Sequence, residues 1–257
     1  MSDSDLFGRF EQTEVDGWIV RRYGEIASTQ DIAAALPCWT AVVAESQTGG
    51  RGQWQRRFTS DRGGLYLTAV LPFAADAAQW RGFALAVGWA VISGFRARMA
   101  ASLRLRWPND LMIGDKKLGG ILVSQGRPDS VCVGLGLNVR NRPWLEDRGL
   151  EATACRLADH APEEQLGFDR LLQALLGAIR SAHRIFFPRG LSGLVEALNQ
   201  SWGGPREVRL EMAPGATVAE IGGRFQGILP NGDLLLEDSA GRRLVVGFHL
   251  VKRLRED

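Results

Sequence analysis

The sequence predicts an α+β protein: a mixed-sheet domain over residues 1–203, then a small β-rich domain over residues 204–257 that is expected to be a barrel. Three observations carry this. Helix-period and strand-period patterns alternate through the first region. Gly203-Gly204-Pro205 then reads as a linker, and only short strand patterns follow it. Finally, the 257 residues, 45% hydrophobic and 23% charged, suffice for one large core and a small second one.

The elements follow in order. Ser28-Thr29-Gln30-Asp31 precedes the apolar stretch 32–36; a hydroxyl residue with an acid three positions on marks a helix start, with Ser28 as N-cap and Pro37 as the stop. Residues 41–44 and 64–71 read as buried strands, the second ended by Pro72. Phe83, Val87, Ala90, Val91 and Phe95 fall on one face of a helix over 77–99. Strands are expected at 103–107, 120–123 and 131–139. A long helix starts at Phe168, with Leu171, Leu172, Leu175, Ile179, Ala182 and Phe186 on one stripe, and a shorter one covers 191–202. The last region holds strand patterns at 207–212, 217–221, 223–229, 233–237 and 242–248. Within it, Pro230-Asn231-Gly232-Asp233 is a hairpin turn, because Asn-Gly tolerates positive φ.

Several function classes are set aside. A formal net charge of +2 does not call for a nucleic-acid or membrane surface. Cys38, Cys132 and Cys155 have no metal-ligand spacing and are expected as reduced thiols. The first ten residues carry acids and no apolar stretch, so no signal peptide is read, and no run approaches the roughly 20 apolar residues of a membrane span. The cytoplasm is the expected compartment. His160, His183 and His249 lie apart, no Gly-x-Ser-x-Gly occurs, and Trp80 and Trp89 are expected to pack a core.

Three stretches could carry chemistry. In 44–58, glycines flank Arg51, and Arg56 and Arg57 follow. Glycines let successive N–H groups point at an anion, and arginines add fixed charge and paired donors, so a flexible loop closing over phosphates or a carboxylate is expected. No Gly-Lys-Ser/Thr follows, so it is not a Walker loop; a solvated basic loop is the competing reading. In Arg106-Trp107-Pro108-Asn109-Asp110, the proline ends a strand and leaves Asn109 and Asp110 at its tip, either facing a site or serving as plain turn residues. Gly114-Asp115 turns the chain back through Lys116 and Lys117 to Gly119-Gly120, where a ligand can approach closely; either lysine could equally be a solvated charge. The third, Val133-Gly134-Leu135-Gly136-Leu137-Asn138, strips side chains from one strand face, leaving room for a flat group or for another backbone; with no helix behind it, the dinucleotide fingerprint fails.

In this order and spacing the stretches resemble the biotin–protein ligase family. The resemblance runs through Ser28-Thr29-Gln30, Glu45-x-Gln47-x-x-Gly50-Arg51-Gly52, Trp107-Pro108-Asn109-Asp110, Lys117-Leu118-Gly119-Gly120-Ile121-Leu122 and Gly136-Leu137-Asn138, and covers nearly the whole chain. It implies a mixed-sheet catalytic domain of the biotin/lipoate ligase type with a C-terminal SH3-like barrel, and ligation of biotin through biotinyl-5'-AMP, with ATP and Mg²⁺, to a lysine of a biotin carboxyl carrier protein. It also implies roles. Lys117 and Arg51 would be catalytic. Ser28, Thr29, Gln30, Gln47, Gly50, Arg51, Lys117, Gly120 and Gly134 would bind biotin. Arg56, Phe58, Asn109 and Asn138 would face the nucleotide, and Asp110 would help hold the metal.

One departure stands out. Where the family loop reads Gly-Arg-Gly-Arg-x-Gly-Arg-x-Trp, this chain has Gln53, Gln55 and Phe58 in place of the second arginine, the next glycine and the tryptophan. Weaker retention of the activated intermediate and a stiffer loop are expected. Related folds make a lipoate or octanoate ligase the first rival, with Trp-Pro-Asn-Asp and the Gly-Arg-Gly loop favouring biotin. A DNA-binding repressor is a second; residues 1–27 are too few for a helix-turn-helix domain, so a monofunctional type is expected. A non-catalytic paralogue is the third. Open sheet edges could support a homodimer.

Overall fold

A computed structural model describes residues 8–73, 80–96, 103–202 and 206–256. Eight strands, β1 (Glu11–Val15), β2 (Trp18–Ile26), β3 (Thr40–Gln47), β4 (Leu65–Pro72), β5 (Leu103–Arg106), β6 (Asp110–Ile113), β7 (Lys116–Gln125) and β8 (Ser130–Leu137), form one sheet in the order β1-β2-β3-β4-β8-β7-β6-β5. Every neighbouring pair is antiparallel except β2 and β3, which makes the sheet mixed, as expected. The parallel pair is joined by the short helix α1 (Thr29–Ala33).

Strand alternation divides the sheet into two faces. On one, Ala41 and Val43 of β3 and Leu67, Ala69 and Leu71 of β4 join the main core with helices α2 (Phe83–Arg96) and α3 (Phe168–Arg189). On the other, Val42, Val70 and Cys132 pack under Ile32 and Ala33 of α1. Further along this second face Thr68 and Tyr66 of β4 pair with Gly134 and Gly136 of β8, so β8 contributes no side chain there. That bare region is the floor of the site.

The C-terminal region forms a second sheet of β9 (Glu207–Met212), β10 (Glu220–Ile228), β11 (Leu234–Glu237), β12 (Arg243–Val246) and β13 (Val251–Glu256), antiparallel throughout in the order β12-β11-β10-β9-β13. Among the described residues its ladder contains no pair that closes a barrel. The two strands expected at 217–221 and 223–229 are one strand, β10. Gly223 marks a close approach rather than a turn: a Cβ there would lie 2.8 Å from the Glu237 carbonyl oxygen across the ladder. The linker read at Gly203-Gly204-Pro205 lies outside the described residues, as do both ends of the helix expected over 77–99.

Three contacts fix the second sheet against the first. Helix α4 (Val195–Trp202) delivers Trp202, stacked on Phe225 at 4.3 Å. Trp107 is buried, and its indole N–H donates to the Gly232 carbonyl at 2.9 Å, docking the Asn-Gly hairpin turn onto the Trp-Pro-Asn-Asp segment. Arg104 grips Glu256 with two bonds of 2.8 and 2.5 Å. Such paired geometry is what a guanidinium and a carboxylate need when both leave water. Together they bring β13 to the rim of the bare region on the first sheet.

Candidate active site

A cavity of about 1380 Å³ opens over that region. Pockets for one small ligand are about 300–1,000 Å³, so two substrates fit side by side.

One end is neutral and hydrogen-bonded. Ser28 caps α1, its hydroxyl accepting from Gln30 N at 3.3 Å, as the sequence predicts, although the helix is only five residues long. Thr29 donates to Gln47 Oε1 from its backbone N at 2.8 Å and from its hydroxyl at 3.1 Å, while Thr68 donates to Thr29 Oγ1 at 2.8 Å. Gln47 Nε2 donates to Ser60 at 2.9 Å. This chain of bonds holds α1, β3 and β4 in one geometry. Gln30 donates through Nε2 to Ser124 Oγ at 2.9 Å, but its buried Oε1 has no partner. That acceptor lies 3.1 Å from where a Cβ on Gly134 would stand. An unpartnered buried acceptor beside an open strand face suits a ligand N–H.

The floor is charged. β7 carries a bulge opposite Leu111 and Met112, with Leu118 as its extra residue. Bulges re-aim side chains, and this one sets Lys117 into the cavity, its Nζ 2.5 Å from Asp110 Oδ1. Arg106 holds the other oxygen at 2.8 Å. Burial by itself would raise the Asp110 pKa, but the charges and hydrogen bonds of Lys117 and Arg106 outweigh it and keep the carboxyl below its ordinary value. Gly119 and Gly120 have separate reasons. A Cβ on Gly119 would strike the Gly136 carbonyl at 2.4 Å, whereas one on Gly120 would crowd Lys117 Nζ at 3.3 Å. The first glycine permits strand pairing; the second keeps the lysine free to move.

The stretch 50–58, expected as a flexible loop, is a small hairpin. Phe58 N donates to Gly50 O at 2.8 Å and Gly52 N to Arg56 O at 2.7 Å. Gly50 is forced, because a Cβ would lie 2.4 Å from both the Phe58 carbonyl oxygen and Ser60 Oγ. At the tip Trp54 and Gln55 have φ of 59° and 58°, a region that favours glycine. Gln55 is the position where the resemblance expects glycine. Trp54 donates from its indole to Val251 O at 3.0 Å, tying the hairpin to β13. Arg51 pairs with Asp31 at the start of α1. Phe58 covers Gly136, whose Cβ would meet the ring at 2.6 Å, and lies 6.0 Å under Lys117 Nζ. The room left by the alternating glycines is thus taken by the Phe58 ring on the Gly136 side and bordered by the Gln30 amide on the Gly134 side.

Asn109 and Asn138 are buried and committed to backbone: Asn109 donates to Ile121 O at 2.6 Å, Asn138 to Cys155 O at 3.0 Å. Their amides brace β7 and the chain beyond β8, beside the cavity. At its rim Glu146 pairs with Arg57 at 3.3 Å. Nearby, burial and then the hydrogen bond and charge of Glu146 push Asp61 up to about 6, against the pull of Arg57. Sequence reasoning passed over Thr68, Ser60, Ser124, Glu146 and all of β13; single polar residues on separate elements carry no local pattern. The expected set Ser28, Thr29, Gln30, Gln47, Arg51, Arg56, Phe58, Asn109, Asp110, Lys117, Gly120, Gly134 and Asn138 all line this one cavity, and Gly50 braces the hairpin at its edge.

The fold and the cavity define an α+β small-molecule-binding enzyme type, in which a lysine-centred charged floor adjoins a neutral polar recess. A family model for the biotin/lipoate A/B protein ligase family matches residues 26–138. The bifunctional ligase/repressor BirA of Escherichia coli is 30% identical over 238 residues, covering 87% of this chain and 71% of that protein. The biotin–[acetyl-CoA-carboxylase] ligase of Mycobacterium tuberculosis is 33% identical over 140 residues, 52% of each. The structure of the biotin protein ligase from Aquifex aeolicus in complex with biotin and ATP shares the fold, with a TM-score of 0.74 at 24% identity, covering 93% of this chain and 99% of that one. The chain belongs to the biotin/lipoate A/B protein ligase family.

Proposed function

We propose that this protein is a biotin–protein ligase: it joins biotin to ATP as biotinyl-5'-AMP and passes the acyl group to a lysine of a biotin carboxyl carrier protein. The observation that carries the reading is Lys117, set by its bulge between the neutral recess of Ser28, Thr29, Gln30, Gln47 and Gly134 and the cationic rim.

The biotin carboxylate must attack the α-phosphate of ATP, and both are anions. The barrier is therefore electrostatic and orientational. Biotin's ureido ring would lie in the recess, with an N–H toward Gln30 Oε1, and its carboxylate would reach Lys117. Leaving Asp110 for the substrates, Lys117 would bridge carboxylate and phosphate as a point charge. Arg51 would turn from Asp31 to the same anions, with Gly50 holding the hairpin and Gly120 the space around the ammonium. As the oxygen–phosphorus bond forms, pyrophosphate leaves. The acceptor amine then attacks the acyl carbon and AMP leaves. No enzyme nucleophile is needed. Arg56, Phe58, Asn109 and Asn138 would flank the nucleotide, the two asparagines through the backbone they brace.

Magnesium normally reaches such sites on substrate phosphates with one or two carboxylates. Among the described residues no group of three acidic, His or Cys ligands occurs, and both Asp110 oxygens are held by cations. Asp110 does not fit a resident metal ligand as arranged; its role is counter-ion to Lys117. The reading keeps residues 1–203 as the catalytic domain and 204–257 as the small domain. It keeps a cytoplasmic protein without a nucleic-acid partner; no helix among the described residues is long and apolar enough to cross a membrane. The exposed edge strand β1 is the surface we assign to any homodimer.

The test is pyrophosphate exchange with biotin, lipoate and octanoate in parallel. Exchange with biotin alone supports the reading, exchange with lipoate or octanoate moves the substrate to the sister acids, and exchange with none refutes a ligase.

A further inference from the structure

We propose that Asn141, just beyond β8, is a positioning residue for adenylation: acting through Asn138, it fixes the backbone on which Lys117 stands. This rests on the ligase reading. It adds a buried side chain that is not part of the cavity wall.

Three donors act in sequence. The Val139 backbone N–H can only donate, and it donates to Asn141 Oδ1 at 3.1 Å. That sets the orientation of the first amide, whose Nδ2 donates to Asn138 Oδ1 at 3.0 Å. Asn138 Nδ2 in turn donates to the Cys155 carbonyl at 3.0 Å. Both side chains are buried, and all four of their polar atoms have partners. Such a chain has one arrangement: flipping either amide would set donor against donor and acceptor against acceptor, away from water.

The chain ends on Lys117. Cys155 N donates to Lys117 O at 2.9 Å and Lys117 N to Thr153 O at 2.7 Å, so residues 153–155 hold both backbone polar groups of the lysine. They run parallel to it, and the bulge against β6 flanks it on the other side. Asn138 completes the frame with its own backbone, donating to Leu118 O and accepting from Leu157 N, each at 2.9 Å. Asn141 is anchored to the chain leading into β4: Arg140 N and Asn141 N donate to Gly63 O at 2.7 and 3.3 Å. Gly63 has a φ of 96°, and a Cβ there would stand 3.1 Å from Asn141 N, so this approach needs a glycine.

In the proposed reaction Lys117 leaves Asp110 and meets carboxylate and phosphate at once. A flexible four-carbon stem brings its ammonium to one point only from a fixed backbone. The chain from Asn141 to Cys155 also supplies one wall of the cavity, including Pro143, Glu146, Leu150 and Ala154. The two amides pin that wall at both of its ends. Without the Asn141 donor the Asn138 amide is released, and residues 153–155 lose their side-chain tie to the end of β8. The ammonium then takes several positions and the chemical step slows. The neutral recess keeps its own bonds among α1, β3 and β4.

The experiment compares wild type, Asn141→Asp and Asn141→Ala as full chains, with circular dichroism as the check of fold. Asn141→Asp keeps the shape and the acceptor for Val139 but turns a carboxylate oxygen toward Asn138 Oδ1. Asn141→Ala removes both bonds and adds no charge. In biotin-dependent pyrophosphate exchange kcat should fall roughly ten- to hundredfold in both, the effect of about 1 Å of misplacement. The KM for biotin should stay within about twofold. Amide hydrogen exchange, read by mass spectrometry, should quicken at Lys117 and Cys155 and stay as in wild type in α1 and β3. Native kcat in both variants overturns the proposal, as does unchanged hydrogen exchange at Lys117 and Cys155. Loss of the native spectrum in both would make Asn141 a residue of the fold alone and overturns it too. If wild type shows no pyrophosphate exchange with any acid while those amides still quicken in the variants, the ligase reading falls and only the structural network stands.

Discussion

Replacing Asp110 with asparagine keeps the side-chain shape and removes the charge between Lys117 and Arg106. The carboxylate is 16% exposed, with cations at 2.5 and 2.8 Å. Breaking a fully buried ion pair from one side costs about 3–5 kcal/mol. Lys117 and Arg106 retain 33% and 20% side-chain exposure, so water recovers part of the loss, and about 2–3 kcal/mol is expected. For a chain of this size that is roughly 4–12 °C in Tm. The sign of the pH dependence follows from the direction of the shift. Asp110 has a lowered pKa in the folded protein, so its contribution is present above the unfolded value of about 3.9 and is lost as pH falls through the folded one. The difference between wild type and Asp110→Asn should be full at neutral pH and shrink below about pH 4. Urea denaturation at pH 7 and along an acid series measures both. A loss under about 1 kcal/mol at pH 7, the size of an exposed pair, or a difference indifferent to acid, would show that the triad is not a buried electrostatic unit.

Three further outcomes follow from the same geometry. Lys117→Ala should abolish biotin-dependent pyrophosphate exchange while circular dichroism stays native, because Arg106 still neutralises Asp110; near-normal exchange would remove Lys117 from the mechanism. Gln53→Arg should slow release of biotinyl-AMP roughly tenfold by adding one charged contact at the cavity wall, and a filter-binding release assay with no change would refute the weak-retention expectation. At the left-handed position 55, Gln55→Val should cost about 1–2 kcal/mol and Gln55→Gly should be neutral or stabilising by under about 1 kcal/mol; equal effects in chemical denaturation would mean that the tip is not strained.

Much of the site is written locally. A cap such as Ser28 needs only the next two residues, and the Gly114-Asp115 turn places Lys117 back beside Asp110 within one hairpin. The glycines of β8 announce a bare strand face by alternation alone, and residues 26–138, where all these motifs lie, are the span that the family model matches. β1 escaped notice because an edge strand with an exposed run of polar residues has no apolar period to read; β2 lies inside the sheet and buries Trp18, Val20 and Tyr23, a short pattern that sequence reasoning passed over. β13 escaped because its alternation is broken by the bulge.

What the sequence determined by itself is therefore the chemistry: which cations, amides and glycines are present, and that they cluster in three hairpin-sized pieces. What only the tertiary structure decided is their neutralisation and direction. Asp110 is spent on Lys117 and Arg106, Asn109 and Asn138 on backbone, and the Asn-Gly turn of the second sheet on Trp107. Trp54 meets Val251 across nearly two hundred positions of chain, with Arg104 holding the far end of β13 in place. Local patterns encode period and turn geometry; pairing of charges between distant segments depends on packing, which no short window contains.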